Sequence, residues 1–304
     1  ECNVQFGEGG AGTFSDGKLN TLVKDKFGRS RYVLETFVKF GAPEDILYVA
    51  KPHVGTDVLR DVISRMRQEI IRLGGTFHFS TKVTDLHIED GRISKIELNH
   101  KEWKDVSGVI LAIGHSARDT FEMLYERKVP MMAKSFAVGM RVEHPQDMIN
   151  ESQYGRNADM TLLPTAAYKV THQSSNGRGV YSFCMCPGGY VVNASSEEGR
   201  LAVNGMSYRS RDSKNANSAI IISVTPEDFP KPDHPLSGVV FQRKLEETAW
   251  KLAEGKVPQQ LYADFKENKK STGYGSFESC IKGQHAFANL RTLFPEAVNE
   301  AFCE

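Results

Sequence analysis

The stretch from Gly55 to Gly75, GTDVLRDVISRMRQEIIRLGG, restricts the fold more strongly than any other part of the sequence. Its apolar residues recur every three or four positions, which is typical of an amphipathic helix that lies on an apolar surface. Short strand-like segments follow, with a turn at Asp90-Gly91, and then comes the apolar run from Val109 to Ile113. A continuous apolar run of this length is typical of a strand that is buried on both faces. The first 133 residues are therefore predicted to form an α/β unit.

The sequence changes character at about Lys134. Segments such as SFAVGMRVEH, GVYSFCMCPGGYVV and NSAIIISVTP are rich in strand formers and are separated by turn residues, which predicts one mixed or antiparallel sheet. The prediction for the whole chain is thus an α/β (α+β) fold in three parts. The three parts are the α/β unit of residues 1–133, a β-rich domain of residues 134–270 and a segment of residues 271–304 that leads back towards the first unit, called the return segment.

Charge and composition exclude several classes of partner. Lys plus Arg and Asp plus Glu both number 38, so no net field steers the chain onto nucleic acid or an anionic membrane. No apolar run approaches the roughly 18 residues that a membrane helix needs. Five scattered cysteines do not suit a disulfide framework, which predicts the reducing cytoplasm, and no pair of metal ligands has zinc-site spacing. We expect a small-molecule substrate and no metal, and the sequence does not indicate an oligomeric state.

The loop FGEGGAGTFSDGKL, from Phe6 to Leu19, contains two phosphate-binding patterns at once. A magnesium-dependent ATP site would need a hydroxyl residue after Lys18, but Leu19 stands there. A Rossmann loop would open a helix, but Asp16-Gly17 resembles a turn. The alternatives that remain are a surface loop without a ligand and a glycine-rich stretch whose bare backbone approaches an anion or a flat ring.

Two pairs of residues are candidates for the chemistry. Cys184 and Cys186 would lie on the same side of an extended strand, where they could be a redox-active pair or simply pack a sheet. His172 and His115 could act as acid or base, or they could be structural hydrogen-bonding residues.

A polar segment, SYRSRDSKNANS, supplies candidate substrate-binding residues. Arg209, Arg211, Asn215 and Asn217 could hold a carboxylate or phosphate by forked hydrogen bonds. The alternative is a solvated loop in which the two asparagines satisfy backbone groups.

Several long strings resemble one family. The segments NVQFGEGGAGTFSDGKL, YVLETFVKFGAPEDILYVAKPHVGTDVLR, VILAIGHSARDTFEMLYERKVPM and GRGVYSFCMCPGGYVVNASSEEGRLAVNGMSYRSRD are similar to bacterial FAD-dependent, or NAD(FAD)-utilising, dehydrogenases. The resemblance extends from Asn3 to about residue 280.

The resemblance implies a glutathione-reductase-like FAD domain, here partial, with the β-rich region as an inserted substrate domain. It implies FAD as cofactor and NAD(P) as an electron partner. The implied FAD contacts are Gly9, Gly10, Ala11, Gly12, Thr13 and Ser15 in the loop, Val83 beside the adenine, and Ile113, Gly114 and His115 after the apolar run.

The family pattern also includes an N-terminal G-x-G-x-x-G unit and a C-terminal flavin motif that this sequence lacks. We therefore expect a segment of an FAD-dependent oxidoreductase whose FAD affinity is reduced or lost. The alternative is a non-catalytic substrate-binding or assembly domain that folds without flavin, and ATP hydrolysis through the loop is a minor third reading.

Overall fold

The computed structural model describes residues 8–10, 18–19 and 24–304. Its α-helices are α1 (Arg29–Lys39), α2 (Thr56–Arg72), α3 (Arg118–Glu126), α4 (Gln146–Tyr154), α5 (Ser237–Leu252), α6 (Tyr262–Lys266) and α7 (Glu296–Cys303). Its strands are β1 (Val83–Glu89), β2 (Arg92–Leu98), β3 (Glu102–Asp105), β4 (Phe136–Pro145), β5 (Thr171–Gln173), β6 (Gly179–Cys186), β7 (Tyr190–Asn193), β8 (Val203–Met206), β9 (Asn215–Val224), β10 (Val257–Gln259), β11 (Ile281–Lys282) and β12 (His285–Phe287). The predicted mixture of helices and sheets is confirmed.

The chain divides into two compact units. Unit 1 comprises residues 1–66, 135–225 and 242–304, and unit 2 comprises residues 67–134 and 226–241. The three-part domain organisation drawn from the sequence stays a prediction.

Unit 1 contains an antiparallel four-stranded sheet in the order β4-β9-β6-β5. β4 and β9 pair over ten residues, from Phe136 opposite Val224 to Pro145 opposite Asn215. A separate three-stranded sheet has the order β11-β7-β8, in which β11 and β7 are parallel. The single predicted sheet is therefore two sheets, because the Pro187-Gly188-Gly189 turn ends β6 and starts β7 in a different sheet.

Two of the apolar clusters of unit 1 join helices to the rest of the unit. α1 and α2 enclose the first cluster, in which Val54 and Val62 are completely buried. The second lies where α7 packs on the four-stranded sheet, so that Val298 and Ala301 contact Val180 and Ile222. Residues of the return segment are therefore part of the same core as the sheet.

Unit 2 contains the antiparallel meander β1-β2-β3 and α3. The predicted turn at Asp90-Gly91 joins β1 to β2, and both of its residues have positive φ, as two-residue hairpin turns require.

The predicted strand from Val109 to Ile113 is wrong: these residues are in no strand, and Ile110 is 94% exposed. A strand needs neighbours that accept and donate its backbone hydrogen bonds, and none of the described strands pairs with this segment. An apolar segment with Gly114 at its end is thus left uncovered.

Within the described part of the chain, no helix combines the length and the apolar character needed to cross a bilayer.

Candidate functional site

A β-bulge in β6 lies at the centre of the candidate site. Phe183 pairs with Ala219 and Cys186 pairs with Asn217, so β6 uses one more residue than β9 over this interval. Cys184 has φ +47°, a left-handed conformation that is uncommon for a residue with a side chain. The prediction that Cys184 and Cys186 lie on the same side assumed a regularly extended strand. The strand is not regularly extended here, so that assumption does not hold. Bulges of this kind re-aim side chains and are frequent beside active sites.

Two cationic side chains donate to the backbone carbonyls of this bulge. The Nζ of Lys18, at the end of the glycine-rich loop, donates to the carbonyl oxygen of Met185. Nη1 and Nη2 of Arg141 lie 3.3 and 3.4 Å from the carbonyl oxygen of Cys184, and Nη1 also donates to Oδ1 of Asn217. The bulge therefore has an electropositive environment.

The two cysteines have different environments, and no disulfide joins them. Cys186 is completely buried, and its Sγ donates to the carbonyl of Cys184 at 3.4 Å. Cys184 is half-buried, and its own carbonyl oxygen accepts from the guanidinium of Arg141. Since reactivity requires a thiolate that is partly exposed in an electropositive site, Cys184 is the better candidate of the two.

The predicted polar residues Asn215 and Asn217 both lie in β9, beside this bulge. The amide nitrogen of Asn215 donates to the backbone oxygen of Glu278 at 2.8 Å and approaches Glu143 at 3.4 Å. The carboxylate of Glu143 also accepts from the backbone nitrogen of Cys280 at 2.8 Å and from the hydroxyl of Ser279. Asn215 is therefore part of the structure that fastens residues 278–280 to β4, whereas Asn217 contacts Arg141.

Arg209 is held at a different place from Asn215 and Asn217. The guanidinium of Arg209 donates to Asp45 and to the carbonyl of His53, and its backbone nitrogen donates to Asp57 at 3.1 Å. Arg211 has φ +53°, and its carbonyl oxygen closely approaches Gly188. Arg209 thus connects β9's preceding loop to the region before α2, so the structure does not bring the four predicted substrate residues together.

His172 lies on β5, away from the bulge. It pairs with Val180, six residues along β6 from Cys186, a separation of roughly 20 Å. It is exposed, and its Nε2 is 3.6 Å from the carboxylate of Glu304.

Sequence reasoning missed a histidine in unit 1 and an arginine in β4. Nε2 of His144 and the hydroxyl of Tyr168 are 2.9 Å apart, and burial lowers the pKa of His144 and raises that of Tyr168. Arg141 could have been noticed because it interrupts the apolar alternation of SFAVGMRVEH.

The predicted FAD contacts of unit 2 lie on β1 and after the uncovered segment. Val83 begins β1 and lines a crevice of about 310 Å³. Gly114 has φ +70° with open space where a side chain would be, and His115 is exposed with Nε2 3.4 Å from the hydroxyl of Ser116.

In the glycine-rich loop, Gly9 and Gly10 are described and have φ values of +82° and +55°. The other predicted loop contacts, Ala11, Gly12, Thr13 and Ser15, lie outside the described residues. Among the described residues, no three metal-binding side chains are grouped as a metal site would need.

Comparison with known proteins identifies the family. Residues 135–304, more than half of the chain, match the family described as FAD-dependent protein, C-terminal domain-like. The chain belongs to this family. A relative from Clostridium beijerinckii, described as an uncharacterized protein, is 50% identical over the full length of this chain. The chain spans 57% of that relative's length.

The FAD-dependent C-terminal domain therefore contains the bulge, Arg141, Asn217 and the His144–Tyr168 pair. The predicted contacts Val83 and Ile113 to His115 precede it. The predicted link to an FAD-dependent family is confirmed at this level, while the narrower assignment as a dehydrogenase stays a prediction.

Proposed function

We propose that this chain is part of an FAD-dependent oxidoreductase, in which the residue 135–304 region binds the organic substrate. The observation that carries the proposal is the uncovered segment Val109 to Gly114, together with membership of an FAD-dependent family. Ile110 and Leu111 are 94% and 42% exposed, and no atom of the described residues beyond the chain neighbours of Gly114 lies within 4 Å of the position where a Cβ would stand on Gly114. An apolar surface that ends in bare backbone suits a flat ring system lying against it.

The open backbone at Gly114 suits a flat ring of FAD, whereas the crevice beside Val83 does not suit its diphosphate. Ile113, Gly114 and His115 would lie along the cofactor at the open backbone. The crevice beside Val83 does not suit an anionic diphosphate, because five carboxylate residues line it against two cationic ones: Asp85, Glu97, Asp119, Glu122 and Glu126 against Lys82 and Arg127. The diphosphate is therefore not assigned to that crevice.

When bound, FAD supplies the acceptor for a hydride, with NAD(P) as the proposed electron partner. The protein's task is to hold the substrate and to manage a proton. Cys184 and Cys186 are proposed as redox or proton-transferring groups, with Cys184 the more accessible. His172 and His115, which are both exposed, are proposed as the acid or base.

FAD titration of the purified chain tests the proposal, with quenching of flavin fluorescence as the signal. We expect the exchange Gly114→Val to weaken FAD binding about tenfold or more, because the side chain covers the open backbone. Gly177→Val is the matched control: Gly177 also has positive φ and open space, so it carries the same backbone cost in a different place. Equal effects of both exchanges would contradict the proposed position of FAD.

The longer C. beijerinckii relative separates the two functional alternatives. If neither protein binds FAD, the flavoprotein proposal is wrong and a non-catalytic binding or assembly domain is favoured. If only the longer relative binds it, the flavin proposal holds and this chain supplies the substrate-binding part. Flavin reduction in that relative, with serine at the positions that align with Cys184 and Cys186, tests the cysteine roles.

A further inference from the structure

Arg141 has no acidic partner among the described residues, although it is half-buried in a sheet. It lies in β4 opposite Ala219, and the carboxylate two residues further on belongs to Glu143. That carboxylate is directed at Ser279, Cys280 and Asn215. A partly buried positive charge without a counter-charge is costly, so an anion that binds beside it gains more than it would at an exposed arginine.

The hydrogen bonds of the guanidinium leave one edge unused. The Nη1/Nη2 edge points at the carbonyl oxygen of Cys184, and Nη1 also donates to Asn217. A guanidinium has five N–H donors. The Nε/Nη2 edge, which presents two parallel N–H groups, has no acceptor in the described part of the chain. This edge has the geometry that binds both oxygens of a carboxylate.

Asn217 is a second, independent indication of a ligand. It is completely buried, and its Nδ2 has no hydrogen-bond partner among the described residues. The amide orientation is set by Arg141, because exchanging Oδ1 and Nδ2 would place two donors face to face. The unpaired amide nitrogen therefore lies beside the guanidinium, and a ligand that accepts from it removes the cost of a buried, unsatisfied donor.

The backbone around the pair is arranged to let these groups approach. A Cβ on Gly205 would stand 2.2 Å from Nη1 of Arg141 and 2.3 Å from Oδ1 of Asn217. The glycine at this position in β8 thus leaves the space that the side chains of Arg141 and Asn217 occupy. Lys18 adds a second positive charge at the next carbonyl of the bulge.

We propose that Arg141 and Asn217 form an oxyanion subsite that binds a carboxylate group of the substrate. The assignment of that carboxylate to a substrate rests on the proposed function. The subsite itself depends only on the arrangement of Arg141 and Asn217. The substrate class is accordingly an organic acid, held by its carboxylate while another part of the molecule reacts.

The test uses the full chain without flavin, with succinate and inorganic phosphate as probes at constant ionic strength. The ¹⁵N-labelled protein reports the Nε–H resonance of Arg141, and thermal unfolding reports stabilisation. We expect succinate to shift this resonance, to raise the midpoint of unfolding, and to act more strongly than phosphate.

Three variants separate binding from structure. Arg141→Lys keeps the charge but lacks the forked edge, so succinate affinity should fall about tenfold or more. Asn217→Asp supplies a carboxylate within the protein and should abolish the succinate effect. Arg200→Lys is the matched control, because Arg200 is also half-buried but is paired with Glu197 and Glu247. Its exchange should leave succinate binding unchanged.

Several results would overturn the proposal. If the Nε–H resonance of Arg141 responds to neither probe, no anion binds there and the proposed subsite is wrong. If succinate affinity falls equally in Arg141→Lys and Arg200→Lys, the effect does not depend on the site and the proposal is wrong. Tighter binding of phosphate than of succinate through Arg141 replaces the carboxylate assignment with a phosphate group. FAD binding is measured separately. A chain that binds succinate but no flavin would contradict the proposed function and would still support the proposed carboxylate subsite.

Discussion

Exchange of Glu143 should loosen the attachment of residues 278–280 to the four-stranded sheet. Its half-buried carboxylate accepts from the backbone nitrogen of Cys280 at 2.8 Å and from the hydroxyl of Ser279, and it is 3.4 Å from the amide of Asn215. The segment that it fastens leads into β11 and, further on, into α7, which packs on the sheet. One side chain therefore connects β4 with the last part of the fold.

The magnitude follows from the number and kind of these bonds. Hydrogen bonds to a charged group contribute about 1.5–3 kcal/mol each, and a buried donor left unsatisfied costs about 1–3 kcal/mol. Glu143→Ala removes two good bonds and one weak one, so the free energy of unfolding should fall by about 3–5 kcal/mol. Glu143→Gln keeps an acceptor for Cys280 and can donate to Ser279, which limits the loss to about 1–2 kcal/mol, chiefly the charge-assisted part.

Urea unfolding followed by circular dichroism measures both losses, and hydrogen exchange at the amide of Cys280 locates them. Glu267→Gln is the control, because Glu267 is exposed and is paired with Lys269 on the surface, where an ion pair contributes little. If Glu143→Ala loses no more stability than this control, or if the amide of Cys280 keeps its protection, the carboxylate does not hold the segment. An equal loss for alanine and glutamine would contradict the argument from charge.

Three further outcomes follow from the packing and from one buried histidine. Burial lowers the pKa of His144 below its ordinary value of about 6.5, so the unfolded state takes up a proton first. The free energy of unfolding should therefore fall as the pH drops through about 6.5 and level off below the folded-state pKa. Urea midpoints measured between pH 7.5 and 5 should depend less on pH in His144→Gln than in the unchanged protein. Identical pH profiles of the two proteins would contradict this expectation. Ile222→Ala removes a completely buried side chain in contact with α7 and should cost about 2–5 kcal/mol in calorimetry, with a loss below 1 kcal/mol counting against the described core. Gly188→Ala should cost about 3 kcal/mol or more, because the added Cβ would stand 1.8 Å from the carbonyl oxygen of Arg211, whereas Gly177→Ala meets open space and should lose only about 1 kcal/mol; equal losses would show that the contact with Arg211 does not matter.

Local patterns in the sequence predicted the elements that depend on nearby residues. The helix after Gly55 is present because its apolar stripe has helical spacing and packs on α1 and the turn before it. The Asp90-Gly91 turn is present because both residues tolerate positive φ. The family resemblance was also readable from the sequence, since long strings match at many positions regardless of the fold.

The same patterns failed where the outcome depends on a distant partner. Val109 to Ile113 has the composition of a buried strand, but composition supplies no neighbour for its backbone hydrogen bonds. Arg209 was predicted to hold a ligand, but Asp45 and Asp57, more than 150 positions earlier, contact it instead. Such pairings arise from chain topology, which hydropathy does not encode.

The sequence by itself thus determined the types of element, the family and the presence of chemically capable residues. Only the tertiary structure decided which of them meet. The register between β4, β6 and β9 places Arg141, Cys184 and Asn217 at one bulge, and it directs Glu143 elsewhere. The physical reason is that a side chain's charge and hydrogen bonds are satisfied by neighbours in space, and those neighbours are set by strand register and by the burial of the whole chain.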